Sequence, residues 1–233
     1  MTLLINNTTL NKSNLKIALI GARIDGQAGV VLDVLTYYSN IEVVAFFDNR
    51  VVSKGATIQG IPIIGDIDKF SKFDNSKIDA IHVSIGDNKA RYDIYKKLKP
   101  NGIPFISVIH PTAVISSSAK IGKGCFIGAN ATIQNNSIIG DYTIINTGTI
   151  VEHDNVIGDA VHMAPGSCTS GRVKIRDLAF LGVGSTVTPD VCIGKAAFVN
   201  AGTMVKKDID DGITVAGYSS KIHFKNIYLD IEG

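Results

Sequence analysis

The sequence predicts an α/β domain followed by an all-β prism with three sides, and three observations carry that prediction. Strand-like and helix-like segments alternate over residues 15–108. From Ile115 to Val205 an aliphatic residue returns at almost every sixth position, with no insertion that breaks the phase. A short or small side chain stands two residues before each of these aliphatics almost throughout.

Residues 1–14, "MTLLINNTTLNKSN", lack a basic leading region and their apolar run is short. They read as a loose polar arm rather than a signal peptide or a membrane span. "LKIALIGA" is a short apolar strand that runs into a glycine turn, and "AGVVLDVLTYYS" has helical spacing. "IEVVAFFDN" is a second strand that ends in an acid. "AIHVSIGDN" is a further strand, and the helical "KARYDIYKKLKPNG" after it closes with Pro and Gly. Strands alternating with helices imply a parallel sheet with crossover helices, which makes residues 15–108 a Rossmann-like domain.

After "FISVIHP" the pattern changes. Of the sixteen positions counted in sixes from Ile115, fourteen are Ile, Val or Leu, and the exceptions are Met163 and Thr169. A period of six fits neither a helix nor an ordinary alternating strand. It describes a coil with flat sides, each side one short strand and a corner. The aliphatic and the small residue two before it share the inward face. Gly follows the aliphatic at 122, 128, 140, 158, 182 and 194, where it is expected to tolerate corner geometry. The prism is expected over 109–217 and a C-terminal tail over 218–233.

Composition narrows the function. An apolar fraction of 45% and a charged fraction of 19% describe a globular chain. A net charge of +2 without a Lys/Arg block gives no electrostatic footprint for nucleic acid. Three cysteines without a CxxC pair fit a reducing, cytoplasmic setting.

Within the repeat, "TIVEHDNVIGDAVHMAPG" concentrates titratable chemistry. His153 falls two residues past inward Val151, at a corner and facing out, flanked by Glu152 and Asp154. His162 stands one before inward Met163 and projects from the middle of a side. At about eighteen residues per turn, the two histidines leave opposite sides of one prism. A site that uses both must then be built between subunits, as a trimer allows. An imidazole is matched to proton transfer near neutral pH, so His153 is the expected general base, with Asp154 or Glu152 to hold its tautomer. His110 beside Pro111, His82 inside a strand and His223 in the tail read as structural, and the cysteines as filler.

In the first domain, the glycines of "GARIDGQAG" (Gly21, Gly26, Gly29) follow a strand and open a helix, where a phosphate or sugar can be cradled. Ala22, Arg23 and Asp25 lie in that turn. Asp48 ends the second strand, a place where an acid can bind a ribose hydroxyl. Asp48, Asn49 and Gly86 are therefore expected substrate contacts, with plain βα-turn chemistry as the alternative.

The hexads, "VEHD", "SIGDN" and "VIHPTAVIS" together resemble the hexapeptide-repeat nucleotide-sugar acetyltransferases, in particular the UDP-4-amino-sugar N-acetyltransferases and the sialic-acid O-acetyltransferases. The resemblance spans about Leu15 to Lys221. It implies a left-handed β-helix, a homotrimer, and acetyl-CoA as co-substrate in the groove between neighbouring prisms. It also assigns Gly171 as an oxyanion donor through its backbone N–H, His162 as a CoA contact, and Val183 and Ala201 as groove wall for pantetheine. Two motifs depart from the family pattern. The first turn is about two residues longer and lacks a histidine, and the closing motif appears as "GYSS", without its proline.

The reading is an acetyl-CoA-dependent N-acetyltransferase acting on a nucleotide-linked amino-sugar, of the 4-amino-4,6-dideoxy type, for surface polysaccharide or glycan biosynthesis. It expects no metal, no membrane span and no nucleic-acid partner. The alternatives are a sialic-acid-type O-acetyltransferase on the same scaffold, or a non-catalytic trimeric sugar-binding protein. A zinc carbonic anhydrase would need three converging histidines, and the coil offers only His153 and His162 with unsuitable spacing, plus His110 at its edge.

Overall fold

The computed structural model describes residues 14–49, 56–72 and 77–217, together with the short strands at 4–5, 8–9 and 221–225. The chain divides into two compact units, Met1–Val108 and Ile109–Gly233. From the stretch read as a polar arm, β1 (Leu4–Ile5) and β2 (Thr8–Thr9) pair antiparallel. Residues 218–220, within "GYSS", lie outside the described residues.

The first unit holds β3 (Leu15–Ile20), α1 (Gln27–Leu35), β4 (Ile41–Phe47), β5 (Thr57–Ile58), β6 (Ile61–Gly65), β7 (Ala80–Val83) and α2 (Asn88–Leu98). Its sheet runs in the order β5-β6-β4-β3-β7. All pairings are parallel except the edge hairpin of β5 with β6, which the alternating pattern did not announce. Apart from exposed Lys16 and buried His82, β3 and β7 are apolar on both faces, as a central parallel strand requires, and Ile17, Leu19, Ile20 and Ile81 are fully buried. α1 turns Ala28, Val31, Leu32 and Leu35 inward. The Asp87 side chain caps α2 by accepting from Ala90 N at 2.7 Å, and Lys96 and Lys97 lie at its negative end.

The second unit is a left-handed parallel β-helix of two-residue strands. One face stacks Val108–Ile109, Phe126–Ile127, Ile144–Ile145, His162–Met163, Phe180–Leu181 and Phe198–Val199. A second stacks Val114–Ile115 through Met204–Val205, and a third Lys120–Ile121 through Cys192–Ile193. Up to residue 205 the strands of each face pair at a spacing of 18 residues, for example Ile144 with His162 and Ile150 with Cys168. The inward aliphatics Ile127, Ile145, Val151, Leu181, Val187 and Val199 are all completely buried. Truncating one to Ala would cost roughly 2–5 kcal/mol.

The small inward residues do more than let the walls approach. Ser137 Oγ donates to Glu152 O at 2.7 Å, and Thr143 Oγ1 donates to Gly158 O at 2.8 Å. These bonds satisfy corner carbonyls that no strand partner reaches. A column of aspartates does the same for corner N–H groups: Asp159 Oδ1 accepts from Asp141 N at 2.8 Å, and Asp177 Oδ1 from Asp159 N at 2.9 Å.

The glycine expectation needs correcting. Gly122, Gly128, Gly140, Gly158, Gly182 and Gly194 do not have positive φ; a Cβ at each would lie 2.4–2.7 Å from the neighbouring coil. They are demanded by close approach. The left-handed conformation falls three residues past the inward position, at Asn136 (φ 59°), Asp154 (57°), Arg172 (60°) and Asp190 (62°) among others. Asn and Asp tolerate this region better than other L-residues, so Asp154 suits the corner backbone as well as the site.

Candidate active site

Asp154 and His153 share one corner of the prism, between the second and third faces. His153 Nδ1 lies 2.8 Å from Asp154 Oδ2, and both side chains are less than half exposed. The other carboxylate oxygen, Oδ1, accepts from Asn136 Nδ2 at 3.1 Å. The hydrogen bond from His153 does most to hold the Asp154 carboxyl below its ordinary range, and Asn136 adds to it. An ionised carboxylate only accepts hydrogen bonds, so the proton sits on Nδ1 and Nε2 keeps a free lone pair. Glu152 turns elsewhere, its Oε2 accepting from His153 N at 3.3 Å. Of the two acids weighed as orienters, Asp154 is the one on the ring.

One coil further on, at the same corner, stands Gly171. A Cβ there would meet His153 Cε1 and Nε2 at 2.5 Å, so the imidazole rests directly over this residue. The backbone beneath is fixed from inside. Asn155, fully buried, donates through Nδ2 to Glu152 O at 2.7 Å and to Ser170 O at 2.8 Å. It thereby ties the coil carrying His153 to the coil carrying Gly171. Asn155 occupies a small-residue slot otherwise filled by Ala, Ser, Thr, Val or Cys, and an amide there is the signal that the sequence offers.

His162 lies on the first face, away from this corner. Its Nε2 is 3.2 Å from Asn146 Nδ2, and its ring packs edge-on against Phe180 with centroids 5.1 Å apart. Phe180 in turn stacks on Phe198 at 4.6 Å. Val183 and Ala201 stand on successive coils at the corner between the first and second faces, where Val183 is 57% exposed. So His153, Asp154 and Gly171 come together within the chain, while His162 lies on the first face and Val183 and Ala201 stand at another corner. Cys168, on the second face, has its thiol raised above the ordinary value by burial and by the Glu152 charge, which keeps it protonated. Among the described residues, no three His, Cys, Asp or Glu side chains gather as a metal site. His110 is occupied by a local turn, its Nδ1 accepting from Thr112 N at 3.1 Å.

In the first unit, Asp48 is 7% exposed and its Oδ2 accepts from Ala22 N at 2.7 Å. Asn49 Oδ1 accepts from Ile67 N at 2.7 Å. Arg23 and Asp25 form an exposed ion pair at 2.9 Å. Gly86 lies in the loop between β7 and α2. Gly21 (φ +102°) could not carry a Cβ, which would meet Ile85 Cγ1 at 2.8 Å and Ser84 O at 3.1 Å. The first turn and the loop after β7 therefore touch, at the ends of the two strands where the sheet order switches direction. That is where open α/β sheets take their ligands.

Residues 16–98 match the family model of the PglD N-terminal domain. PerB from Caulobacter crescentus, solved in complex with CoA and GDP-perosamine, is 35% identical over 90% of this chain and 97% of its own, with a TM-score of 0.83. A histidine-to-asparagine variant of perosamine N-acetyltransferase from the same organism, also with CoA and GDP-perosamine, is 33% identical with the same coverage and TM-score. The acetyltransferase domain of PglB from Neisseria gonorrhoeae FA1090 is 31% identical over 90% of this chain and all of its own, with a TM-score of 0.83. A sequence search of curated proteins returns no match.

Proposed function

Because this chain belongs to the hexapeptide-repeat family of nucleotide-sugar acetyltransferases, we propose that it transfers the acetyl group of acetyl-CoA to the amino group of a nucleotide-linked 4-amino-4,6-dideoxy sugar. The observation that carries the chemistry is the His153 imidazole, oriented by Asp154 and lying over Gly171. Attack of an amine on a thioester releases a proton and builds negative charge on the carbonyl oxygen. Nε2 of His153 takes that proton as the nitrogen attacks, and returns it to the departing thiolate. Gly171, lacking a side chain, lets its backbone N–H approach the developing oxyanion. Asp154 holds the tautomer and stabilises the imidazolium that forms between the two transfers.

CoA would lie along the wall of His162, Val183 and Ala201, and the nucleotide-sugar at Ala22, Arg23, Asp25, Asp48, Asn49 and Gly86. His153 and His162 leave different sides of one prism, so the site is completed by a second copy in a homotrimer. The exposed apolar residues Val114, Ile138, Ile150 and Val156 on the second and third faces support that assembly. Acetyl-CoA and a nucleotide-sugar as co-substrates favour a cytoplasmic reaction, in the making of glycan precursors. No helix among the described residues is long and apolar enough to cross a membrane.

Thiol release from acetyl-CoA, measured across GDP-, UDP- and dTDP-linked 4-amino-sugars, tests the reading. Turnover with at least one of them is expected, and no release above background with any member would overturn it.

A further inference from the structure

Arg91 heads the fully buried side chains by volume and is 1% exposed. A guanidinium cannot shed its charge, so acceptors must surround it when it is taken out of water. Nη1 donates to Ile85 O at 2.9 Å and to Gly86 O at 3.0 Å, and Nη2 donates to Asn88 Oδ1 at 2.9 Å. Two of these acceptors belong to the short loop between β7 and α2, and the third, Asn88, is the first residue of α2. All three are uncharged dipoles of the segment that the guanidinium organises.

The consequence follows from the planar trans peptide, in which C=O and N–H point in opposite directions. With the Ile85 carbonyl drawn toward Arg91, the N–H of Gly86 turns away from it. With the Gly86 carbonyl drawn the same way, the N–H of Asp87 turns away as well. The Asp87 side chain is occupied on the helix side, accepting from Ala90 N at 2.7 Å. Beside this loop passes the first turn, with Gly21 against Ser84 and Ile85. The Ser84 hydroxyl, on a residue 4% exposed, has no hydrogen-bond partner among the described residues. The Ser84 hydroxyl and the oriented peptide N–H of Asp87 thus gather where the strand order switches.

The geometry points to Arg91 as the positioning residue of the nucleotide-sugar site. Held beneath the loop, it aims the N–H of Asp87 at an acceptor oxygen of the ligand without touching the ligand itself. This rests on the proposed nucleotide-sugar reading. Lys cannot reproduce a planar fork over two carbonyls and an amide, although it keeps the charge. Arg91→Lys is therefore expected to raise KM for the nucleotide-sugar by about tenfold or more, with KM for acetyl-CoA within about twofold of wild type. Asn88→Ala removes one arm of the clamp without opening the core, and should raise the same KM by about threefold or more while melting like wild type.

The substrates used are the panel members that wild-type protein turns over. Independently of turnover, amide hydrogen exchange at Gly86, Asp87 and Asn88 in the substrate-free protein should accelerate at least about tenfold in Arg91→Lys, while β3 and β4 exchange as in wild type. Unchanged exchange in the loop would overturn the positioning role, whatever the substrate. So would a folded Arg91→Lys or Asn88→Ala with wild-type KM for the nucleotide-sugar, or a rise of both KM values together. A wild-type protein inactive on every sugar, with the exchange difference intact, would sink the acetyltransferase reading and leave the loop clamp standing.

Discussion

His153 and Gly171 sit one coil apart with the imidazole packed on the glycine, so closely that a Cβ would stand 2.5 Å from Cε1 and Nε2. Gly171→Ala must displace the ring or the coil. We expect the fold to survive, since the site is a corner facing outward, and kcat to fall by about 10–100-fold, the scale of a misplaced base. The double variant with His153→Ala should be no slower than His153→Ala alone, because both changes act on one group. Additive losses in the steady-state rates would separate the two residues.

Removing the base itself should be more severe. His153→Ala is expected to lower kcat by roughly 10²–10⁴-fold with KM for acetyl-CoA nearly unchanged. His162→Ala should behave the other way, weakening CoA binding in a titration more than it slows the chemical step. A His153→Ala enzyme with near-normal kcat would remove the general-base assignment.

Asp154→Asn keeps the shape but offers the ring a neutral amide in place of a carboxylate. The rate should fall less than in His153→Ala. The loss should fall on kcat rather than on KM for acetyl-CoA, because the neutral amide no longer stabilises the imidazolium formed on attack. Asn136→Ala, which frees Asp154 Oδ1, should lower kcat in a smaller degree. An Asp154→Asn enzyme with wild-type kcat would mean that the contact at 2.8 Å does not act in catalysis.

Asp48 has two tasks in this reading, and its substitution separates them. The carboxylate holds Ala22 N at 2.7 Å in a buried setting, so Asp48→Ala should cost about 1.5–3 kcal/mol by denaturant titration. KM for the nucleotide-sugar should rise while KM for acetyl-CoA stays near wild type. Equal loss of both affinities would count against the division of labour between the two units.

His82 makes the first unit sensitive to acid. Burial, with the Arg91 charge nearby, pushes its pKa down from 6.5 to about 4, although the Ile106 carbonyl at 2.9 Å from Nδ1 opposes the shift. The folded-state value lies below the unfolded one, so this contribution to stability is complete above pH 6.5 and is lost as the pH falls toward about 4. The total comes to about 3 kcal/mol. Unfolding of the first unit, followed by urea titration between pH 7 and 4, should show that slope, and His82→Asn should flatten it.

The sixfold period was enough to predict the prism, because every inward aliphatic must be buried and only a flat-sided coil buries all of them at that spacing. The alternation of strand and helix was enough for the first unit, and Asp154 beside His153 was legible because the two are neighbours in the chain. What the period could not say is which atoms meet across coils. Gly171 under the ring, Asn136 on Asp154, and Asn155 tying Glu152 to Ser170 are contacts 15 to 18 residues apart, invisible to local reading. The same holds for Arg91, which reads as one charged residue on an amphipathic helix and is buried because the loop before that helix folds its carbonyls back onto it. Periodicity reports which face a side chain takes. Its partners are decided by the stacking of one coil on the next, and by where the turns at the ends of the parallel strands come to rest.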